Sequence, residues 1–290
     1  MEKTKTKIWL GLGSYLLASV SPVAIATADD AENTLTGRQG PILVADQGGE
    51  GGQGGERGAH RKGGEGGEGG EGGERGAGAR PETDDVSYLT QLGLVRGHLN
   101  VGFDLYQQGA VKAAKTHMKH PGDELYADLK PAFAARGVAG FADQLQKLAS
   151  LVEKEAPISA VKSAYSELES AIEAAAKGAA SPDVKTRLEV AEHLVRTAAE
   201  EYAVGVKDGK VVNAHEYQDA LGFVRIAKKT VTAADADSKA DAEALERAKA
   251  QFEGIESAWP GVVAPKTVDA DASLIYGAAD WIEIAAMKAR

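Results

Sequence analysis

The chain has 290 residues, a formal charge of −10 at pH 7 and no cysteine. So acidic a composition argues against nucleic acid and against an anionic membrane surface as partners, because both select clustered Lys and Arg. The missing thiol excludes disulfides, a thiolate nucleophile, iron–sulfur ligation, covalent (thioether-linked) haem, a Cys zinc site and a cysteine-linked lipid anchor.

Residues 1–28 read as a signal peptide, and the location expected from it is periplasmic. Lys3, Lys5 and Lys7 precede an apolar run from Ile8 to about Ile25, and Ala26-Thr27-Ala28 offers the small residues of a cleavage site. Ser14, Ser19, Ser21 and Pro22 interrupt the run and argue against an uncleaved membrane anchor. The segment carries a net +2, which leaves −12 on the remaining 262 residues. Residues 29–83 read as a disordered Gly-rich linker: 17 of the 31 residues from Gly48 to Gly78 are Gly, and none is aromatic or β-branched. Such a stretch has little apolar surface to offset the entropy of ordering it. Gly at two positions in three without Pro excludes collagen. A flexible spacer is the expected role; the competing one is a weak cation-collecting tail, with Glu at every third position and His60 between Arg57 and Arg61.

From Asp84 to Arg290 apolar residues recur at helical spacing. Leu89, Leu92, Leu99, Phe103 and Tyr106 predict a helix ending at Gln108-Gly109. A short helix from Ala110 to Lys119 is expected to stop at Pro121-Gly122, which turns the chain. Glu124–Arg136 follows, closed by Gly137, then Val138–Glu155 and Ser159–Lys177. Ser181-Pro182-Asp183 reads as a helix start with a hydroxyl N-cap and Pro at the first position, and that helix runs to about Val206. Asn213–Lys229 begins with an Asn-x-x-Glu pattern close to a capping box. Ser238–Ser257 and Ala270–Arg290 complete the set. Lys210-Val211-Val212 alone looks extended. Gly102, Tyr106, Ala114 and Met118 stand near the offsets of one tetratricopeptide unit but do not recur at 34 residues, so the stretch reads as one tight helical hairpin. The fold class expected is all-α, an antiparallel helical bundle over 84–290, either as one body or as subdomains 84–178 and 179–290. Trp259 and Trp281 read as packing anchors.

Standard catalytic signatures are missing: no Gly-x-Ser-x-Gly, no phosphate loop and no His-Glu-x-x-His. A ferritin-type di-iron centre needs Glu-x-x-His, and the residues three before His98, His117, His120, His193 and His215 are Val95, Ala114, His117, Val190 and Val212. The imelysin-type Gly-x-His-x-x-Glu is absent as well. The remaining constellation is His117-x-x-His120-Pro-Gly-Asp123-Glu124. Imidazoles three apart share a helix face, and two neutral imidazoles with a carboxylate suit Fe, Cu, Mn or Zn. The bland alternative is that His120 ends a helix with Pro121 while Asp123 and Glu124 complement the dipole of the next. His98 lies on an apolar stripe with Leu94, Val101 and Leu105, as a core histidine or a ligand. His193 lies on a polar face with Glu189, Arg196 and Glu200. His215 falls in a first helical turn, where a cation is slightly unfavourable, and Glu216 is accounted for by capping.

The string from His193 to Tyr217 resembles the extracytoplasmic helical region of bacterial iron permeases of the FTR family. His193, Glu201, Tyr202, Asp208, Gly209, Val211, Val212, Asn213, Glu216 and Tyr217 stand at matching positions without a gap. Gly205 and Gly209 are read as relaxing the turn, and Val211-Val212 as reaching the core. Arg196 stands where the resemblance leads one to expect an acid three after the His. No run of about 20 apolar residues follows residue 28, so the Arg-Glu-x-x-Glu membrane helices of the permease are not expected. The resemblance implies a freestanding relative of the periplasmic module, with iron as the favoured cargo, Cu, Mn or Zn as alternatives, and an inner-membrane metal transporter as partner. The expected metal ligands are His117, His120 and Glu124, joined by His98 and His193 from neighbouring helices. The expected function is non-enzymatic metal binding or buffering. The alternative is a structural or adaptor protein of the cell envelope that docks a partner through the bundle.

Overall fold

The computed structural model describes residues 80–290; the signal-peptide reading of 1–28 and all but the last few residues of the Gly-rich linker lie outside the described residues. Helix α1 (Asp85–Gln107) starts at Asp84, whose carboxylate accepts the Ser87 N–H at 2.6 Å, and ends before Gly109 in the left-handed region at φ +77°. Helices α2 (Val111–His120), α3 (Tyr126–Arg136), α4 (Ala142–Glu153) and α5 (Ile158–Ala176) follow. The second half comprises α6 (Val184–Gly205), α7 (Ala214–Thr232), α8 (Lys239–Ile255) and α9 (Ala272–Ala286). The all-α reading holds.

The differences from the expected elements have local causes. Pro121-Gly122 does not turn the chain: residues Pro121–Leu125 form one π-helical turn that joins α2 to α3, with the Tyr126 N–H donating to the Pro121 carbonyl. Pro121 cannot donate to the His117 carbonyl as a continuing α-helix requires, and the wider turn accommodates that interruption. Helix α4 starts at Ala142 rather than Val138, because the Tyr126 hydroxyl holds the backbone N–H groups of Phe141 and Ala142 (3.0 and 3.1 Å) outside the helix. The N-cap of α6 is Asp183, not Ser181; its carboxylate accepts from the Thr186 N–H at 2.7 Å. Asn213 caps α7 through the His215 N–H at 3.0 Å, while Glu216 accepts from the Asn213 side-chain amide at 3.2 Å. The extended residues form a minimal hairpin, β1 (Val206–Lys207) against β2 (Lys210–Val211), turned by Asp208 and Gly209 at positive φ. Val211 is half-buried, but Val212 is 60% exposed and does not reach the core. Trp259 is an anchor, donating from Nε1 to the Tyr217 carbonyl at 3.0 Å; Trp281 is not, standing 57% exposed on α9.

Helix α1 is buried on nearly all sides because α2, α5, α6 and α7 all pack on it. The α6–β1–β2–α7 hairpin lies beside it, α9 covers α6, and α8 covers α9. One continuous apolar core runs through both halves, from Tyr88 and Phe133 to Phe252 and Ile282. Backbone meets backbone where α1 crosses α7. A Cβ on Gly222 would stand 2.4 Å from the Gly97 carbonyl oxygen, and a Cβ on Gly97 would stand 2.4 Å from the Phe223 ring. Only two glycines let the backbones touch there. One turn further along α1, a Cβ on Gly102 would meet the His117 Cβ at 3.1 Å, so the expected tight α1–α2 hairpin is present.

Ala at position 222 must push the helices apart, and overpacking of this kind costs about 1–3 kcal/mol. Gly222→Ala is therefore expected to lower the thermal midpoint. Gly254→Ala, in α8 where a Cβ meets nothing within 4 Å, is expected to raise it slightly. Equal midpoints for the two variants in thermal unfolding would contradict this packing.

Candidate metal centre

The crossing of α1 and α7 places His98 and Asp219 face to face, and α2 closes the cluster with His117 and His120. The π turn carries the chain on helically, so that Glu124 falls back onto His120, with Oε1 3.3 Å from Nδ1. From α7, His215 and Asp219 share a face at i,i+4 spacing. Four imidazoles thus gather around one carboxylate. The ring centroids of His98 and His120 are 4.4 Å apart, those of His117 and His215 are 4.4 Å apart, and His215 lies 5.7 Å from His120. Phe223 stands edge-on against His98 at 5.1 Å and walls the cluster on its inner side.

Asp219 is the centre of the arrangement. Its Oδ1 lies 2.5 Å from His98 Nδ1 and 2.9 Å from His117 Nδ1, and its Oδ2 lies 3.2 Å from His215 Nδ1. His98, His117 and Asp219 are all essentially inaccessible to solvent. Burial pushes the Asp219 carboxyl up, but attraction to His98 and His117 outweighs it and holds the group well below the usual carboxylate range. The carboxylate is therefore ionised and needs a positive neighbour, because an uncompensated buried charge is costly.

The tautomer of His117 follows from its surroundings. The Gln218 amide donates from Nε2 to the Val262 carbonyl at 3.0 Å, which turns Oε1 toward His117 Nε2 at 2.9 Å. An amide oxygen only accepts, so His117 Nε2 carries a hydrogen. In a neutral ring Nδ1 is then a bare lone pair directed into the cluster. The buried His117 Nδ1 faces Asp219 Oδ1 at 2.9 Å, and the buried His215 Nε2 has no hydrogen-bond partner of acceptable geometry. Buried polar atoms are rarely left so, and a lone pair set against a carboxylate oxygen is repulsive unless an electrophile lies between them. Metal-ligating imidazoles commonly donate the far N–H to a fixed oxygen while offering the other nitrogen, as His117 does here. The ligand atoms of His98, His117 and Asp219 lie within 4.8 Å of one another, as do those of His215, Glu216 and Asp219.

Of the residues expected from sequence, the structure brings His98, His117, His120 and Glu124 together. It does not bring His193 to them. That side chain is 53% exposed on α6, beside Glu192 at 3.1 Å, and lines a separate surface hollow with Asp84 and Glu283. Arg196 nearby is occupied by Glu192, Asp280 and Glu283. Sequence reasoning passed over His215, Asp219 and Gln218. The His215–Asp219 spacing was a legible signal, masked by the first-turn position of His215.

Residues 178–289 match the iron permease-associated 4-helix bundle domain. The resemblance carried by residues 193–217 therefore extends over α6, α7, α8 and α9, the four helices of the second half. No curated protein and no solved structure matches the chain. The matched segment supplies His215, Gln218 and Asp219, whereas His98, His117, His120 and Glu124 come from outside it. No described helix is long and apolar enough to cross a membrane.

Burial lowers the His215 imidazole to about 4, with the neighbouring imidazoles adding to the effect and Asp219 opposing it. An unfolded His takes up its proton near 6.5. Acidification between 6.5 and about 4 thus favours the unfolded chain, and stability is lost as pH falls through that window. In chelator-treated protein, His215→Gln is expected to flatten the fall of thermal midpoint across this range. An unchanged slope would place His215 in water.

Proposed function

We propose that the protein is a periplasmic, non-enzymatic binder of a transition metal, with iron favoured, that buffers the ion or presents it to an inner-membrane transporter. The observation that carries this reading is the buried Asp219 carboxylate, with two imidazole nitrogens within 2.9 Å of one of its oxygens and a third imidazole 3.2 Å from the other. The ligands are His98, His117 and Asp219, with His120 and His215 bordering the same space. Imidazole and carboxylate together suit Fe, Cu, Mn and Zn, and the choice of iron draws on the iron permease-associated match. Neutral imidazoles with one carboxylate leave the site at −1, complementary to a divalent or trivalent ion. The leader read in residues 1–28 supplies the route across the inner membrane.

The full chain, loaded with iron at neutral pH and desalted, is expected to retain at least one ion by elemental analysis. His117→Ala/His120→Ala is expected to retain less iron than the wild type. Retention is expected to fall as pH drops below roughly 6.5, where protons compete for imidazole. Absence of iron from the loaded wild-type protein would overturn the reading.

A second reading, an envelope adaptor that docks a protein partner, draws on α9. Leu274, Trp281 and Met287 are 42%, 57% and 70% exposed on a helix within the permease-associated segment. Trp281→Ser would weaken capture of a partner from envelope extract without changing iron retention, and capture indifferent to chelator would favour this reading.

A further inference from the structure

Asp219 has two oxygens, and they face two different sets of ligands. Oδ1 points inward to His98 and His117, while Oδ2 lies 3.2 Å from His215 Nδ1, which in turn is 3.8 Å from Glu216 Oε2. The outer set of His215, Glu216 and Asp219 holds three ligand atoms within 4.8 Å of one another, as the inner set does. The two sets differ in exposure. The inner side chains are at 0–1%, whereas His215 and Glu216 are at 19% and 15%. Beside the outer set is an open hollow of about 600 Å³ between the starts of α2 and α7, bordered by Ala110, Lys112, Thr116, Ala214, His215 and Gln218. Of the four clustered imidazoles, His215 is the most exposed.

We propose that Asp219 is shared between two cation positions: an outer one formed by His215, Glu216 and Asp219 Oδ2, and the buried one formed by His98, His117 and Asp219 Oδ1. This rests on the metal-binding reading of the cluster and adds to it a second position and a direction of access. A shared carboxylate lets an ion pass from the outer to the inner ligands without losing all of its protein ligands at once. It also lets one anionic group serve two cations, which four neutral imidazoles alone do not. Glu216 has a structural task too, accepting from the Asn213 amide through Oε1. Its other oxygen is the one turned to His215.

The test is an anaerobic calorimetric titration of the full chain with Fe(II) alone. Two ions per chain are expected, in two resolvable steps. Glu216→Gln keeps an acceptor for Asn213 and removes the charge at the outer position. It is expected to weaken one step tenfold or more and leave the other in place. His98→Gln, checked for native helicity by circular dichroism, is expected to affect the other step. One ion per chain in the wild type overturns the second position while leaving the metal-binding reading standing. Two ions with both steps unchanged in Glu216→Gln overturns the assignment of the outer ligands. No ion at all overturns both.

Discussion

A single ionised carboxylate, sealed between helices and facing imidazoles on three sides, sets the terms for this molecule. Asp219 cannot be hydrated where it sits, and its charge has to be answered by a proton on a neighbouring ring or by a metal ion. Gln218 narrows the choice at His117. By accepting at Nε2 it fixes a hydrogen there and turns Nδ1 to the carboxylate, and the Val262 carbonyl fixes Gln218 in turn. Trp259 and Tyr217 hold the same Trp259–Val262 segment against the start of α7. The loop between α8 and α9 thus orients the histidine cluster without adding a side chain to it.

The scaffold exists to bring α1 and α7 closer than side chains normally permit. Gly97 and Gly222 remove the atoms that would separate the backbones, and the neighbouring His98 and Asp219 meet as a result. Gly102 does the same for α2, which delivers His117. Further along the crossing, Arg225 donates to Asp104 at 2.9 Å and to Asn100 at 3.2 Å, fixing the rotation of α7 against α1. The permease-associated segment holds the carboxylate and the helices outside that segment hold three of the four histidines, so neither half contains the centre by itself.

The helices were legible because each carries a strong apolar period and clear ends. Gly109, Gly137 and Asn213 punctuate the chain where the structure breaks it. The π turn was not legible, since Pro-Gly reads as a stop and nothing local signals that a wider turn will carry the helix past the missing N–H. His117 and His120 were found from local spacing, and His98 from its place on an apolar stripe. His215 and Asp219 were missed because a first-turn histidine and a lone Asp look ordinary until α1 is laid across them. His193 sat inside the most recognisable stretch of sequence, yet its side chain faces solvent. Pattern strength there reported the helix–loop–helix, while the histidine–carboxylate cluster lies on α1, α2 and the adjoining α7.

The most direct measurement is a crystal structure of the iron-loaded protein with anomalous scattering recorded at the iron edge. A peak is expected within coordination distance of both His117 Nδ1 and Asp219 Oδ1. Peaks confined to surface carboxylates, with the imidazoles around Asp219 left without iron, would contradict it.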